Sequence, residues 1–410
     1  MKLRQDADAI IAAALQAALP DTAVRKALED QDFGQGKLVL VALGKAAWQM
    51  AQTACGILGK RISDGIVVTK YDHAKGPLPH VTIREAGHPV PDDNSFSATA
   101  EAIEKVSGLS AQDTVILLIS GGGSALFEKP LISGEELASI TKQLLASGAD
   151  IVEMNTVRKR LSAVKGGKFA QLCAPARVFS IVLSDIIGDP LDMIASGPAY
   201  PDASTCAQAK EIVERYGIQL SAQARACLDV ETPKTLENVE TQITGSVRQL
   251  CAAAEDACRK LGYSPITLTA SLCCQAREAG SFLASIARDH ADTERSLAYI
   301  AGGETVVHLI GKGLGGRNQE LALSAAAGIA GLSDTAVFSL GSDGTDGPTD
   351  AAGGYCDGQT AAVLTEKGLD ILSVLNNNDA YHALQACDGL IMTGPTGTNV
   401  NDLSVLLIKR

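Results

Sequence analysis

Several signals of secreted, metal-bound or membrane-spanning proteins are missing from this 410-residue sequence. Its ten cysteines include no CxxC pair and no regular spacing, which indicates neither a disulfide framework nor a structural metal site. No apolar run approaches the length that spans a bilayer. The N-terminal stretch carries acidic residues on an amphipathic helical pattern, unlike a signal peptide. We therefore expect a cytoplasmic protein with reduced thiols and no association with membranes.

Hallmarks of some enzyme and binding classes are missing as well. The six histidines include no pair at metal-ligand spacing, and the lack of a GxSxG motif disfavours an α/β-hydrolase. A net charge of −12 disfavours nucleic acid as a partner, because the two surfaces would repel each other. Three histidines near a predicted loop receive no role from the sequence: His73, His80 and His88.

Glycine is abundant. The 40 glycines cluster at the ends of apolar runs such as 38–43 and 114–120, and these runs alternate with helical patterns. Such alternation predicts an α/β fold built on a doubly wound parallel sheet. The pattern recurs on a smaller scale after a polar stretch at 232–238. We therefore predict a larger, Rossmann-like domain at 1–234 and a smaller α/β domain at 235–410, with a cleft between them.

The apolar run that ends at Ser120 leads directly into a glycine-rich loop, SGGGS at 120–124. Ligands of parallel sheets bind at the carboxyl ends of the strands, where glycine lets backbone N–H groups approach a phosphate. We interpret this loop as a candidate phosphate site, the alternative being a tight turn. Lys45 follows another apolar run, and its charge would lie at the same edge of the sheet. It is not part of a Walker A loop, because Val39 stands where that motif has glycine.

The segment GKGLGGRNQE at 311–320 matches the GxGxxG pattern of dinucleotide-binding folds. It follows a strand-like run, TVVHLI, and precedes a helical pattern. However, Asp343, the candidate ribose ligand, lies farther beyond Gly316 than the roughly 20 residues expected. Arg317 at the start of the helix suits a carboxylate or a phosphoryl group, since a guanidinium binds two oxygens at once. The sequence therefore favours a carboxylate- or phosphoryl-binding arginine over a nicotinamide site.

Two loops are rich in aspartate. The loop at 341–354 contains Asp343 and Asp346 and does not match an EF-hand, which ends in glutamate. Carboxylates near phosphates commonly hold Mg²⁺, so we take these two residues as candidate metal ligands, although a turn-rich surface loop would explain them equally well. The loop at 185–202 contributes a second carboxylate set that includes Asp189, one member of which could act as a base or a metal ligand.

Ten segments in the same order resemble the class II glycerate kinases, a family whose C-terminal module is called MOFRL. They run from about residue 39 to 403, so the resemblance covers nearly the whole chain. The segments are VALGKAAWQMA, GIVVTKY, EAGHPVPDDNS, LLISGGGSAL, MNTVRKRLSAVKGGKFA, VLSDIIGDPLDMIASGP, AGGETVV, GGRNQELAL, GSDGTDGPTDAAGG and GPTGTNVNDL.

This resemblance implies phosphorylation of D-glycerate to 2-phosphoglycerate, with ATP and Mg²⁺, in the cleft between the two domains. It places Lys45 and Arg317 at the substrate or the transferring phosphoryl group, and Asp189 as the catalytic carboxylate. One hypothesis is that Arg317 holds the glycerate carboxylate and Lys45 the γ-phosphate, and the reverse assignment stays open. The implied nucleotide- and phosphate-binding residues are Ser120, Gly121, Gly122, Gly123, Ser124, Asn155, Arg158 and Lys159.

Two alternatives remain at the level of the sequence. Members of the same family have been labelled NAD(P)H-dependent hydroxypyruvate reductases of tartrate or glyoxylate metabolism. Such an enzyme would normally place a histidine beside a carboxylate-binding arginine, whereas His308, the one histidine near Arg317, lies in a predicted strand. The second alternative is a non-catalytic small-molecule sensor, which would bind ATP without consuming it. The sequence leaves open which hydroxyl of glycerate is phosphorylated and whether the chain forms a homo-oligomer.

Overall fold

A six-stranded sheet organises Ala23–Thr244, the N-terminal unit of the computed structural model, which describes residues 2–410. Its strands are β1 (Leu38–Leu43), β2 (Ile62–Lys70), β3 (Thr82–Ala86), β4 (Thr114–Ile119), β5 (Arg177–Leu183) and β6 (Val239–Gly245). Their order is β3-β2-β1-β4-β5-β6, and the neighbours from β3 to β5 all pair in parallel. The predicted doubly wound parallel sheet is confirmed. Its order reverses between β1 and β4, the point where such sheets bind ligands.

Helices flank this sheet because β1 and β4 are buried along their whole length and need cover on both faces. α1 (Lys2–Ala18) opens the chain. The helices that follow it are α2 (Pro20–Leu28), α3 (Ala47–Leu58), α4 (Asp93–Val106), α5 (Gly123–Leu126), α6 (Gly134–Ala146), α7 (Ile151–Leu161), α8 (Lys168–Cys173), α9 (Cys206–Arg215) and α10 (Ala222–Cys227). Side-chain caps fix several starts; Asp150, for example, accepts a hydrogen bond from the backbone N–H of Glu153 at the start of α7.

A second six-stranded sheet organises the C-terminal unit, which joins the chain up to Thr22 with Gly245–Arg410. Its strands are β7 (Ser264–Leu272), β8 (Leu297–Gly303), β9 (Thr335–Gly341), β10 (Gly353–Asp357), β11 (Leu390–Ile391) and β12 (Asp402–Ile408). The helices are α11 (Val247–Lys260), α12 (Ala276–Asp289), α13 (Arg317–Gly328), α14 (Thr360–Glu366), α15 (Ile371–Asn376) and α16 (Ala380–Ala386).

The C-terminal sheet is mixed. In the order β11-β10-β9-β12-β8-β7, only β7 and β8 pair in parallel, and the other four neighbouring pairs are antiparallel. The sequence had suggested a smaller copy of the parallel alternation. That expectation did not include β10. This strand begins within the glycine-rich segment 341–354, which we had predicted as a loop, and it pairs antiparallel with β9.

The first helix packs in the C-terminal unit, not with the sheet that follows it in the sequence. α1 lies against α11 with Ile10 fully buried. The carboxylate of Asp6 accepts hydrogen bonds from the Tyr263 hydroxyl at 2.7 Å and from Lys409 Nζ at 3.2 Å. The two units therefore differ from the predicted domains at the first 22 residues. They differ again at 235–244, because β6 belongs to the first sheet.

Two further expectations concern the membrane and the thiols. Within residues 2–410, no single helix is long and apolar enough to cross a membrane, whereas α1 and α2, bent by 55° to each other, meet the length and composition together. All ten cysteines are free.

Candidate active site

The glycine-rich loop lies at the end of β4, at the point where the strand order reverses. Gly122 has a φ of +86°, in the left-handed region that favours glycine. A Cβ atom at this position would lie 3.0 Å from Cδ2 of His88 and 3.2 Å from Cγ of Lys45. Both side chains therefore lie against the backbone of the loop, which puts Lys45 at the edge of the sheet where the glycine-rich loop begins.

Lys45 is held beside this loop by backbone hydrogen bonds. Its N–H donates to the carbonyl of Gly121 at 2.9 Å, and the N–H of Ala46 donates to the hydroxyl of Ser120 at 3.1 Å. Gly44, which precedes it, has a φ of +112°, and a Cβ atom there would overlap Ser120. The side chain of Lys45 is exposed. The turns after β1 and β4 are thus joined by hydrogen bonds, and the exposed ammonium group of Lys45 is accessible to a ligand.

His88 also lies at these turns, and the sequence assigned it no role. It follows β3, and burial together with the charges of Lys45, Lys70 and His73 lowers the pKa of its imidazole. The ring is therefore neutral at pH 7 and can accept a proton or a hydrogen bond. The sequence signals were its position just after a strand and its place in EAGHPVPDDNS, one of the segments that resemble the family, and neither assigns a role to the imidazole.

The loop after β5 brings carboxylates to the same edge. Oδ2 of Asp185 packs so closely on Gly121 that a Cβ atom there would lie 2.2 Å from it. Asp189 has a left-handed φ of +54°, and its Oδ1 is buried without a hydrogen-bond partner among residues 2–410. A buried carboxylate oxygen of this kind is costly unless a proton, a cation or a ligand reaches it. Asp189 therefore has the environment expected of a functional carboxylate.

Of the three α7 residues predicted to bind nucleotide, Asn155 and Arg158 connect to the glycine loop. The hydroxyls of Ser124 and Ser196 are 3.0 Å apart, and that of Ser196 donates to Oδ1 of Asn155 at 3.1 Å. Nη2 of Arg158 lies 3.5 Å from the carbonyl of Ser124. Side chains from the glycine loop, α7 and the loop after β5 are therefore linked in one polar network.

Lys159 points elsewhere. It is buried, and its ammonium group pairs with Asp202 at 3.1 Å and with Asp192 at 3.4 Å. Burial raises the pKa of Asp202, but the charge of Lys159 and hydrogen bonds from neighbouring hydroxyls lower it by more. The pKa of Asp202 is therefore below its ordinary value. The positive charge of Lys159 is thus neutralised inside the unit, and the geometry does not support a direct contact with phosphate.

In the C-terminal unit, Arg317 is the first residue of α13. Its Nε and Nη2 donate to the two carboxylate oxygens of Asp402 at 2.5 and 3.0 Å, and its Nη1 lies 3.1 Å from Glu304. Burial lowers the pKa of Arg317, but the hydrogen bonds and charge of Asp402 raise it more, so the guanidinium is permanently charged. The side chain remains about one-third exposed. Asp402, which is buried, orients the guanidinium, whereas the partner of Nη1, Glu304, is about half exposed.

The two predicted metal ligands have other partners in the described chain. Both oxygens of Asp346 accept hydrogen bonds from the first backbone N–H groups of α13, at Asn318 and Gln319. Burial raises the pKa of Asp346 to about 6 in spite of these bonds. Asp343 accepts a hydrogen bond from the N–H of Thr345 within its own turn. Among residues 2–410, no group of three or more His, Cys, Asp or Glu side chains is arranged to hold a metal ion.

The GxGxxG segment does not have the structure of a dinucleotide-binding turn. The run before it, predicted as a strand, forms only an isolated bridge at Val306. Gly313 donates its N–H to the carbonyl of Asn377, and Gly311 donates to Oδ1 of Asn378. A Cβ atom at Gly311 would lie 2.1 Å from that carbonyl of Asn377. These glycines allow close packing on the segment after α15, which leaves their N–H groups unavailable to a pyrophosphate.

Comparison with known proteins agrees with this organisation. A family model described as a domain of unknown function, DUF4147, matches residues 6–229, and the MOFRL family model matches residues 297–402. A D-glycerate 2-kinase of Thermotoga maritima is 50% identical, with 99% of this chain and 98% of the relative covered. A protein of Agrobacterium vitis with a provisional hydroxypyruvate reductase name is 39% identical, with 99% and 94% covered.

The fold is similar to that of a solved structure over its full length. The crystal structure of a glycerate kinase from Thermotoga maritima superposes with a TM-score of 0.95 at 49% identity, and 99% of each chain is covered. The similarity therefore extends over both units of the chain. The chain therefore belongs to the family that combines DUF4147 with MOFRL and includes the glycerate 2-kinases.

Proposed function

We propose that this protein transfers the γ-phosphoryl group of ATP to the 2-hydroxyl of D-glycerate. The observation that carries the proposal is the convergence of Lys45, the 120–124 loop and Asp185 at the carboxyl ends of β1, β4 and β5. The names of the relatives supply the substrate and the position of transfer. The ten free cysteines further support a cytoplasmic location.

Phosphoryl transfer requires positioning and stabilisation of charge more than covalent chemistry from the protein. In our proposal, backbone N–H groups of residues 121–124 and the ammonium group of Lys45 hold the phosphates, since the N–H of Ser120 already donates to the carbonyl of Leu43. Gly122 allows this approach, because a side chain there would meet both Lys45 and His88. The neutral imidazole of His88 adds no competing positive charge and suits a hydrogen bond to the phosphoryl oxygens or to the attacking hydroxyl.

Mg²⁺ fits this edge of the N-terminal unit better than the loop at 341–354. Magnesium in kinases is usually bound by one or two carboxylates together with phosphates and water, so a cluster of three protein ligands is not required. Asp189, with its buried and unpartnered oxygen, and Asp185, which lies on Gly121, would hold it. When bound, the ion would neutralise charge on the phosphates. We therefore propose these two residues in place of Asp343 and Asp346.

Arg317 is proposed to bind the carboxylate of glycerate. Asp402 uses the Nε–Nη2 edge of the guanidinium, so Nη1 is the donor that a substrate can reach. Its present partner, Glu304, is about half exposed, and ion pairs of that kind contribute little. A substrate carboxylate can therefore replace Glu304 without disturbing the buried pair.

The first experiment is to incubate the protein with D-glycerate, ATP and Mg²⁺ and to identify the product by ³¹P NMR. We expect 2-phosphoglycerate. Formation of 3-phosphoglycerate would retain the kinase and refute the position of transfer. Intact ATP, combined with oxidation of NADPH by hydroxypyruvate, would replace the proposal by the reductase.

The same assay tests the role of Lys45. Lys45→Ala should lower kcat/KM by roughly 100- to 1,000-fold, because a charge that stabilises the transferring phosphoryl group is removed. Lys60→Ala is the matched control, since Lys60 is an exposed lysine just beyond the opposite end of α3. Equal activity in the two variants would remove Lys45 from the site.

A further inference from the structure

Lys165 and Glu128 form an ion pair in which both side chains are fully buried, with Nζ and Oε2 3.4 Å apart. Neither oxygen of Glu128 accepts a regular hydrogen bond from the described chain, so this pairing is the main compensation for its charge. Removing two charges from water is costly, and a buried ion pair is often no more stabilising than apolar residues of the same size. The pair therefore calls for an explanation other than stability.

The ammonium group of Lys165 also holds the backbone at the end of the glycine loop. It donates to the carbonyl of Ser124 at 2.8 Å and to that of Phe127 at 3.1 Å. Two of the three N–H donors of the ammonium group are thus used by backbone carbonyls, and the charge of Glu128 lies on the remaining side at 3.4 Å. The side chain thus fixes both ends of the turn that follows the glycines.

The two residues after Lys165 hold the other loop of the site. Gly166 donates its N–H to the carbonyl of Ser196 at 3.0 Å, and Gly167 donates to that of Gly197 at 2.7 Å. Ser196 has a left-handed φ of +59°, a strained conformation that needs such support. Residues 165–167 therefore connect the glycine loop to the loop that carries Asp189.

We propose that Lys165, paired with Glu128, is a positioning residue that holds the 120–124 loop in the conformation that binds the phosphates of ATP. The inference rests on the proposed function for the identity of the ligand. The effect of Lys165 on the backbone conformation of the loop can be measured by hydrogen exchange without following the reaction.

Lys165→Met keeps the length of the side chain and removes the charge and the donors. We expect ATP binding, measured by calorimetry, and kcat/KM for ATP to weaken by roughly 10- to 100-fold, as is typical when reacting groups are displaced by about an ångström. KM for D-glycerate should stay unchanged. Backbone amides of 120–127 should exchange hydrogen faster than in the wild type.

Lys168→Met is the matched control. Lys168 lies three residues farther on, and its ammonium group donates to the carbonyls of Lys159, Arg160 and Ser162 at the end of α7. Burial lowers the pKa of Lys168 to about 8, as it does for Lys165. Lys168 makes no hydrogen bond to the glycine loop within the described chain, so its loss should reduce stability without affecting ATP binding or exchange at 120–127.

A second variant serves if Lys165→Met fails to fold. Burial and the charge of Arg158 lower the pKa of Lys165, whereas the charge of Glu128 raises it. Glu128→Gln preserves shape and removes that charge, so Lys165 should lose its proton at a lower pH. ATP affinity should therefore decline at a lower pH in Glu128→Gln than in the wild type, where the decline is expected near pH 8.

The outcomes separate the inference from the proposed function. If the wild type binds ATP, Lys165→Met weakens that binding and glycerate is not phosphorylated, the proposed function is refuted and the inference is retained. Equal effects of Lys165→Met and Lys168→Met, unchanged exchange at 120–127, or an identical pH dependence in Glu128→Gln would each overturn the inference. A wild type that does not bind ATP would overturn both.

Discussion

At the scale of single residues, Arg317 illustrates how a charged side chain can be both held and available. Its bidentate contact with buried Asp402 fixes the plane of the guanidinium, whereas its contact with Glu304 involves an exposed partner. The two carboxylates therefore have different tasks, although both neutralise the same charge. This difference can be measured.

We expect Asp402→Asn to raise KM for D-glycerate by roughly 10- to 100-fold, the effect of losing charge-assisted hydrogen bonds that orient Arg317. KM for ATP should not change. Glu304→Gln is the matched variant: it removes a competitor of the substrate and should lower KM for D-glycerate by at most about fivefold. Steady-state kinetics at saturating ATP measure both. A rise of KM in Glu304→Gln would show that Glu304 assists binding and does not yield to the substrate.

Asp346 offers a prediction of pH dependence. Burial raises its pKa from 3.8 to about 6 in the folded chain, so the folded state binds this proton more tightly than the unfolded state. This tighter proton binding adds to the free energy of unfolding. The added stability is complete below pH 3.8, the unfolded-state pKa, and is lost as the pH rises through about 6, the folded-state pKa. The melting temperature of the wild type minus that of Asp346→Asn should therefore increase as the pH falls from 7 to 4.5.

Asp370 provides the opposite case in the same unit. It caps α15 by accepting a hydrogen bond from the N–H of Ser373, and the hydrogen bonds from Ser373 lower its pKa. Its stabilising contribution is complete above the unfolded-state pKa of 3.8 and is lost only as the pH falls through the lower pKa of the folded state. The difference in melting temperature between the wild type and Asp370→Asn should therefore stay constant from pH 7 to 4.5. Parallel trends in the two variants would contradict the assignment of Asp346 as a buried cap.

At the scale of secondary-structure elements, the turn between β4 and α5 carries the sharpest backbone requirement of the site. Gly122→Ala places a Cβ atom against His88 and Lys45 in a left-handed conformation that costs an alanine about 1–2 kcal/mol. We expect a small loss of stability and a drop of roughly 10- to 100-fold in kcat/KM for ATP. Thermal unfolding and kinetics on the same preparation separate the two effects.

Gly56→Ala is the control for that substitution. Gly56 lies within α3, and a Cβ atom there would have no neighbour within 4 Å. Because alanine favours helices, this variant should gain up to about 1 kcal/mol of stability and keep full activity. If Gly122→Ala behaved like Gly56→Ala, the loop would not require glycine, and its assignment as the phosphate site would be lost.

The elements that could be predicted are those that local pattern determines. β1 is apolar throughout, and β4 is apolar apart from Thr114, because both of their faces are buried. The glycines after β4 mark the turn where the chain leaves the sheet. His88 and the packing of Asp185 on Gly121 depend on which turns become neighbours, which the sequence pattern alone does not determine. Asp346 was misleading for the same reason: an aspartate in a glycine-rich loop is compatible with a metal site, and only the position of α13 makes it a helix cap.

At the scale of the whole molecule, the chain begins and ends in the same unit. α1 packs against α11. The carboxylate of Asp6 accepts hydrogen bonds from Tyr263, just before β7, and from Lys409, just after β12. An amphipathic helix at the N-terminus has an apolar face to bury, but the sequence does not indicate which sheet will receive it. The C-terminal unit therefore depends on a helix that precedes the N-terminal sheet in the sequence.

This dependence can be tested by paired core substitutions in the full-length chain. Ile10 in α1 and Ile66 in β2 are both fully buried, so Ile10→Ala and Ile66→Ala should each cost about 2–5 kcal/mol. Native-state hydrogen exchange should show that Ile10→Ala weakens protection in α11 and β9 and leaves β1 and β4 unchanged, because the cavity opens in the C-terminal unit. Ile66→Ala should give the reverse pattern. Loss of protection in β1 and β4 after Ile10→Ala would mean that α1 stabilises the N-terminal sheet or that the two units unfold as one.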